Sequence, residues 1–272
     1  PAVFATTNLT ALQTQQPALL SLPADVIGCQ EVRLGEAGQL QQKLALQEQG
    51  LDIIFGMPLR RRTPTSRLPA GGVAITAKSC MKLRGITPTC PLGQDIWEST
   101  GFCHGVICFE SHVVHIACVY GFTNAARNPE QRRANEELLR KVFAYLAALG
   151  DVPIILLGDF NTPPEASVTL TAQISTGAYF DLASIAAAQQ DAQPEMTCFA
   201  KDTSPGTRAD LVLANKVTAG SCAGVEALHG TGILVHKPVL LTLHMQHVNQ
   251  TGKGFRTPAP FPLDFKDPDA DA

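Results

Sequence analysis

The sequence predicts an α+β or α/β domain in which helices cover the sheets. Three observations carry this expectation. The chain has 272 residues, 45% of them hydrophobic, enough for one large domain with a sizeable core. Apolar runs of strand length outnumber helical patterns along it. The helical patterns fall between those runs, the arrangement by which helices come to lie over sheets.

The elements follow in order. "ADVIGCQE" (24–31) reads as a short buried strand ending at a carboxylate. "GQLQQKLALQEQG" (38–50) reads as a helix closed by Gly50, and "GLDIIFG" (50–56) as the next strand. "GGVAITAK" (71–78) is another strand, and "GVICFESHVVHIACVYG" (105–121) a hairpin of two apolar runs about a polar centre at Glu110 to His112. The strongest helix is "NPEQRRANEELLRKVFAYLAALG". Asn128 suits its N-cap and Pro129 its first position. Leu138, Leu139, Val142, Phe143 and Leu146 recur at helical spacing. Gly150 ends it, and the apolar strand "IILLGD" follows. Beyond a weakly structured middle, "RADLVLAN" (208–215) and "KPVLLTLHM" (237–245) read as strands. No internal repeat is present. Residues 1–246 are expected to form the domain. Residues 247–272, rich in Pro, Gly and Asp, read as a linker or disordered tail.

A formal net charge of -3 means that any nucleic-acid binding must rest on a local patch or a metal. No apolar stretch approaches the length of a membrane span, so no membrane partner is expected. The N-terminus has neither the basic nor the apolar region of a signal peptide. It also lacks an initiator Met, which predicts a fragment or a processed product. The eight cysteines show no CxxC pair, and Cys29, Cys108 and Cys118 sit inside apolar runs as small hydrophobes. Neither a disulfide framework nor a structural zinc site is expected.

The stretch "IILLGDFNTPPEA" (154–166) places a carboxylate and a carboxamide two residues apart at the end of an apolar run. Side chains two apart on a strand point the same way, so Asp159 and Asn161 are expected to project together into a cleft. Gly158 permits close backbone approach or an unusual turn, and Pro163 and Pro164 stop the pairing. An ordinary turn uses the same residue types. Polar residues recur where apolar runs end: Asn8, Glu31, Tyr120, Asp159, Asn161, Asp210 and His236. Together they are what metal-assisted phosphoester hydrolysis needs. A carboxylate holds a hard cation such as Mg²⁺, a carboxylate or histidine handles the proton of the attacking water, and amide and phenol donors stabilise phosphoryl charge.

These stretches, taken in order, resemble the motifs of the endonuclease/exonuclease/phosphatase superfamily, the fold of DNase I and the apurinic endonucleases. They are "TTN" (6–8), "CQE" (29–31), "VYG" (119–121), "GDFN" (158–161), "TCF" (197–199), "TRAD" (207–210) and "LVHKPV" (234–239). GDFN is the most specific, and the order runs from about residue 5 to about residue 245. The resemblance implies a four-layer α/β/β/α sandwich. It implies that Glu31, assisted by Asn8, ligates Mg²⁺, with Mn²⁺ the alternative. Asp159 would act on the attacking water, Asn161 would hold the scissile phosphate, and Tyr120 would contact phosphate. Asp210 would orient His236, which would contact or protonate a phosphoryl oxygen. Thr197 would join the residues that contact nucleic acid. One motif departs from the family: its last signature is Ser-Asp-His, and here Leu234 and Val235 precede His236. Val235 cannot ligate a cation.

Plainer readings stand beside these. Glu31 could be a surface carboxylate and Tyr120 a sheet aromatic. Asp210 could pair structurally with Arg208. His104, His112 and His115 fit no metal spacing and read as structural or exposed, and His244 and His247 carry no role. The segment "LRRRTPTSRLPAGG" (59–72) has four arginines, Arg60, Arg61, Arg62 and Arg67, and no acidic residue. Beside a phosphodiesterase core it is expected to grip nucleic-acid backbone. The expected activity is that of a Mg²⁺-dependent phosphodiesterase, a DNA endonuclease acting as a monomeric domain. Its compact length, Thr motif and tail resemble the endonuclease domain of non-LTR (LINE-type) retrotransposons, where a fused reverse transcriptase would follow. A repair endonuclease is the near alternative, and either implies an intracellular, nuclear setting. A phosphatase of the same fold acting on an inositol phosphate or lipid, and a catalytically degenerate nucleic-acid-binding domain, complete the alternatives.

Overall fold

The computed structural model describes residues 1–60, 70–109, 112–199, 205–233 and 235–248. In chain order the elements are β1 (Ala2–Asn8), α1 (Leu12–Ser21), β2 (Val26–Gln30), α2 (Glu36–Gln47), β3 (Leu51–Phe55), β4 (Val73–Lys78), β5 (Arg84–Gly85), α3 (Pro91–Glu98), β6 (Phe102–Phe109) and β7 (His112–Tyr120). They continue with α4 (Pro129–Ala147), β8 (Ile154–Asp159), α5 (Val168–Ser175), β9 (Tyr179–Asp181), α6 (Leu182–Ala188), β10 (Asp210–Asn215), α7 (Lys216–Ala219), β11 (Cys222–Ala227) and β12 (Val239–Leu243). The strands form two six-stranded mixed sheets, ordered β11-β12-β1-β2-β4-β3 and β5-β6-β7-β8-β10-β9. Only β1–β2 and β7–β8 pair in parallel among them.

Side-chain alternation on the strands builds the layers. On β8, Ile155 and Leu157 join Val114, Ile116 and Cys118 of β7 and Phe4 and Val26 of the other sheet in a core between the two sheets. The alternate residues, Ile154 and Leu156, face outward and pack with Leu139, Val142 and Leu146 of α4. A third core joins Ala5, Ile27 and Cys29 to Leu12, Leu19 and Leu46 on the outer face of the first sheet. Three stacked cores make four layers, the α/β/β/α sandwich. Burying both faces explains why β8 reads as an unbroken apolar run rather than an alternating one.

The expected α4 has the caps its sequence announces: the Asn128 side chain accepts hydrogen bonds from the amides of Glu130 and Gln131. Gly150 takes the left-handed conformation just beyond, at φ +77°. The hairpin and the strands of 24–31, 50–56, 71–78, 154–159, 208–215 and 237–245 all form, with ends shifted by a few residues. The middle of the chain corrects the reading of weak structure, because α5, β9 and α6 occupy it. Their signals are short: α5 buries only Leu170, and Ser167 and Asp181 supply the side-chain caps of α5 and α6. Helix α1 also forms, although Pro17 lies inside it. Core packing continues to Met245 and Val248, two residues past the expected boundary. The remainder of the expected tail lies outside the described residues. No helix among the described residues is long and apolar enough to cross a membrane.

Candidate active site

The site is the open end of the space between the two sheets. Residues of the same parity that are apolar deep between the sheets become polar at the strand ends. Phe4 gives way to Thr6 and Asn8 on β1, and Ile155 and Leu157 to Asp159 on β8. Val212 of β10 leads back to Asp210, and Cys118 of β7 leads to Tyr120. Register sets three of these level: Tyr120 pairs with Asp159, and Asp159 with Asp210, across β7, β8 and β10. The tight β7–β8 spacing needs Gly158, because a Cβ there would lie 2.4 Å from the Val119 carbonyl oxygen.

Asp159 is almost wholly buried. Asn8 Nδ2 donates to its Oδ2 at 2.9 Å, and the Asn161 amide donates to its Oδ1 at 3.0 Å. Burial and the neighbouring Asp210 charge raise the Asp159 pKa to about 6, against the opposing pull of His236 and these two donors. Asp210 holds His236 through Nδ1, 2.9 Å from its Oδ2, and leaves Nε2 3.9 Å from Asp159 Oδ2. Burial alone would strip the proton from His236. The charge and hydrogen bond of Asp210, with Cys198 and Asp159, outweigh it and raise the pKa to about 11. The ligating atoms of Asp159, Asp210 and His236 lie within 4.8 Å of one another. The pairing of Asp210 with Arg208 does not occur, because Arg208 bonds Asp181 of β9 at 2.5 Å instead.

Asn161 departs from the simple alternation. β8 ends at Asp159, and Asn161 sits in the left-handed region at φ +52°. Its amide closes a turn on Asp159, and its Nδ2 donates to the Gly121 carbonyl at 2.9 Å. The turn reading therefore holds for this segment, and the turn, not strand alternation, orients Asn161 beside Asp159.

Glu31 is buried just past β2, at φ +56°. Arg33, also left-handed at φ +52°, grips its Oε1 through Nε and Nη2. Tyr120 lies close enough to feel both Glu31 and Asp159. Burial first, then those two charges, hold its phenol above the ordinary range and so protonated. Thr197 is buried, its Oγ1 accepting from the Asp210 amide at 3.1 Å. That hydrogen bond anchors the strand end carrying Asp210. Val235 is 46% exposed with φ +72°, a rare conformation for a β-branched residue. Arg60 is exposed, and Arg61, Arg62 and Arg67 lie outside the described residues. His104 is structural: it is buried between Tyr145 Oη at 2.9 Å and His115 Nδ1 at 3.0 Å.

Sequence reasoning passed over two residues. Arg33 stands two positions after Glu31, the same spacing that drew attention to Asp159 and Asn161. Cys198 lies within the TCF stretch, and its Sγ sits 3.7 Å from His236 Nε2.

Comparison with known proteins agrees with this architecture. Residues 7–231 match the model of the Endonuclease/Exonuclease/phosphatase family. No curated protein sequence matches significantly. Among solved structures, an AP endonuclease from Archaeoglobus fulgidus superposes with TM-score 0.68 at 14% identity, over 90% of this chain and 100% of its own. The Xenopus laevis APE2 catalytic domain gives 0.67 at 18% identity, over 89% and 91%. The 3' phosphatase NExo from Neisseria, bound to product DNA hairpin, gives 0.66 at 16% identity, over 89% and 99%.

Proposed function

The chain belongs to the Endonuclease/Exonuclease/phosphatase family, and from that premise we propose that its cleft is a metal-dependent phosphodiesterase whose substrate is DNA, cut internally. The observation that carries this reading is the division of labour between Asp159 and His236. Two titratable groups 3.9 Å apart are both raised, yet to different ends: Asp159 becomes a base near neutrality, and His236 a firmly held cation. Asp159, near 6, is ionised at neutral pH yet basic enough to take a proton from water. His236, protonated under Asp210, offers Nε2–H to a phosphoryl oxygen as charge builds there. Tyr120 keeps its proton and can donate it as a hydrogen bond. Asn161 is held rigidly at the same mouth by its bond to Gly121.

The donor set suits a hard divalent cation. Arg33 occupies only Oε1 of Glu31, leaving Oε2 without a partner among the described residues. Asn8 Oδ1 accepts from the Thr10 amide at 3.0 Å and retains a second lone pair. Glu31 and Asn8 would hold the ion, and Mg²⁺, with Mn²⁺ the alternative, would supply Lewis-acid stabilisation of phosphoryl charge. Val235 contributes no oxygen, which Mg²⁺ accommodates because it often binds through one or two carboxylates and keeps water in its other positions.

Plasmid nicking with and without Mg²⁺, beside Glu31→Ala and Asp159→Asn, tests the proposal. Nicking that needs the metal and both carboxylates supports it. Binding of DNA without any cleavage would make the domain a degenerate nucleic-acid-binding module. Turnover of inositol phosphates or phospholipids in place of DNA would make it a phosphatase of the same fold. A narrower reading, that residues 1–246 are the endonuclease domain of a LINE-type element followed by a reverse transcriptase, is supported by the TCF stretch and the Pro-, Gly- and Asp-rich tail. It requires nicking of intact duplex, whereas a repair enzyme would require an abasic site.

A further inference from the structure

Phe122 has no part in the chemistry above, yet the fold holds it at the edge of that chemistry, 38% exposed. A single exposed apolar residue is ordinary; the way this one is held is not. Gly121, just before it, is locked to the GDFN segment. Its amide donates to the Asp159 carbonyl at 2.8 Å, and its carbonyl accepts from Asn161 Nδ2 at 2.9 Å. A Cβ on Gly121 would lie 2.3 Å from the Phe160 carbonyl oxygen. The Phe122 amide donates at 2.9 Å to Oδ1 of Asn135, a buried residue of α4, and Asn135 Nδ2 donates to that same Phe160 carbonyl at 3.0 Å. Beyond the ring, Arg132 donates to the Ala125 and Ala126 carbonyls at 3.3 and 2.9 Å. The backbone that carries the ring is thereby fixed against Asp159 and Asn161.

A second observation says what the ring faces. Phe122 and Tyr120 wall a hollow of about 120 Å³, which Gly71, Gly101, Ser99 and Thr100 help to line. Among the described residues, no side chain lining it is an acid, a lysine, an arginine or a histidine. A hollow without charge does not attract phosphate. Glycines leave room for a flat body to approach, hydroxyls offer both donors and acceptors, and an aromatic wall offers a stacking face. That is the complement of a neutral heterocycle, set beside groups that hold a phosphate. We propose that Phe122 is a stacking platform for the nucleobase adjoining the scissile phosphate, and so a residue that selects nucleic acid over other phosphoesters. The proposal rests on the nuclease reading and narrows its substrate. A base in a duplex has its faces occupied, so the one that meets Phe122 belongs to a single strand or has swung out of its stack. Stacking tolerates every base, so the platform imposes no sequence.

The test uses the full chain and reads binding apart from cleavage, in an Asp159→Asn background with Mg²⁺. Two single-stranded oligonucleotides of equal length serve as probes: one carries thymine bases, and the other is the same backbone built from base-free tetrahydrofuran units. Fluorescence anisotropy gives the ratio of their affinities. The starting protein should prefer the thymine strand. Phe122→Ala should reduce that preference by about 5- to 150-fold, the range of one base–aromatic stack, while binding the base-free strand as before. Phe122→Trp should keep the preference. Phe122→Leu, apolar but without a π face, should lose it. An unchanged ratio in Phe122→Ala overturns the proposal, and so does full preference in Phe122→Leu, which would reduce the ring to simple packing. A protein that binds neither strand loses this proposal and the nuclease reading together. A wild-type chain that cuts DNA while the ratio ignores Phe122 loses only this proposal. A ratio that follows Phe122 in a chain that never cuts keeps it and loses the nuclease reading.

Discussion

Replacing Asp210 by Asn is the most discriminating perturbation of the cleft. The substitution is isosteric and keeps an acceptor for His236 Nδ1, but removes the charge. The pair it breaks is buried, with side-chain exposures of 9% for His236 and 0% for Asp210, at 2.9 Å. At an effective dielectric of about 20, opposite charges that close attract by roughly 6 kcal/mol before desolvation is set against it. Removing one partner of a buried pair costs about 3–5 kcal/mol, and the retained hydrogen bond puts this variant near the lower end. The wild-type sign is clear. His236 is raised from 6.5 to about 11, so its contribution to stability is complete below its unfolded pKa and is lost as pH rises through about 11. In Asp210→Asn, burial is left as the dominant influence, and His236 should be neutral by neutral pH. The expected result is a nicking rate lower by about 10²–10⁴, with the alkaline limb moved from beyond about pH 10 to below about pH 7. Nicking rates across that range, with thermal unfolding at each pH, measure both effects. An alkaline limb unmoved in the variant would refute the argument, whatever happened to the absolute rate.

Three further outcomes are expected. Val235→Asp should lower the Mg²⁺ concentration for half-maximal nicking, and its carboxylate meets no burial penalty because position 235 is 46% exposed; relief of the β-branched residue at φ +72° should leave the chain stable or more stable by about 1 kcal/mol. An unchanged Mg²⁺ titration would remove residue 235 from the metal site. Neutralising Arg60, Arg61 and Arg62 should weaken DNA binding and flatten the plot of log affinity against log salt by roughly 0.9 for each phosphate no longer neutralised, and an unchanged slope would mean that the segment is merely solvated. Gly158→Ala should destabilise by about 3 kcal/mol in chemical denaturation, because the added methyl meets the Val119 backbone; a change under about half a kilocalorie per mole would show that β7 and β8 part freely.

The sequence was most legible where one signal was local. Asn128, Pro129 and Gly150 bracket α4 by capping chemistry alone, and the apolar run into Gly158 and Asp159 marks β8. Motif order was enough to nominate Asn8, Glu31, Tyr120, Asp159, Asp210 and His236 from separate stretches. What remained hidden depends on pairing between distant segments. The level register of Tyr120, Asp159 and Asp210, the Thr197 hydrogen bond beneath Asp210 and the bridge from Cys198 to His236 are written in no single stretch. Helices α5 and α6 escaped notice because alanine, threonine and serine supply few buried anchors: one leucine in α5, Leu182 and Ala186 in α6. Strand β11 is half-buried and bulged near Cys222 and Gly224, which blurs its alternation.

The placement of β12 has a consequence for how the molecule is made. This strand, the last in sequence among the described residues, lies in the interior of its sheet between β11 and β1, and His236 sits just before it. Asp159 and its bonded partner Asn8 therefore wait for a histidine translated later. At roughly 5–20 residues per second that delay is about 4–15 s. A nascent or truncated chain can present the carboxylate of Asp159 but not the imidazolium beside it. The cluster of Asp159, Asp210 and His236 is therefore complete only once β12 has paired between β11 and β1.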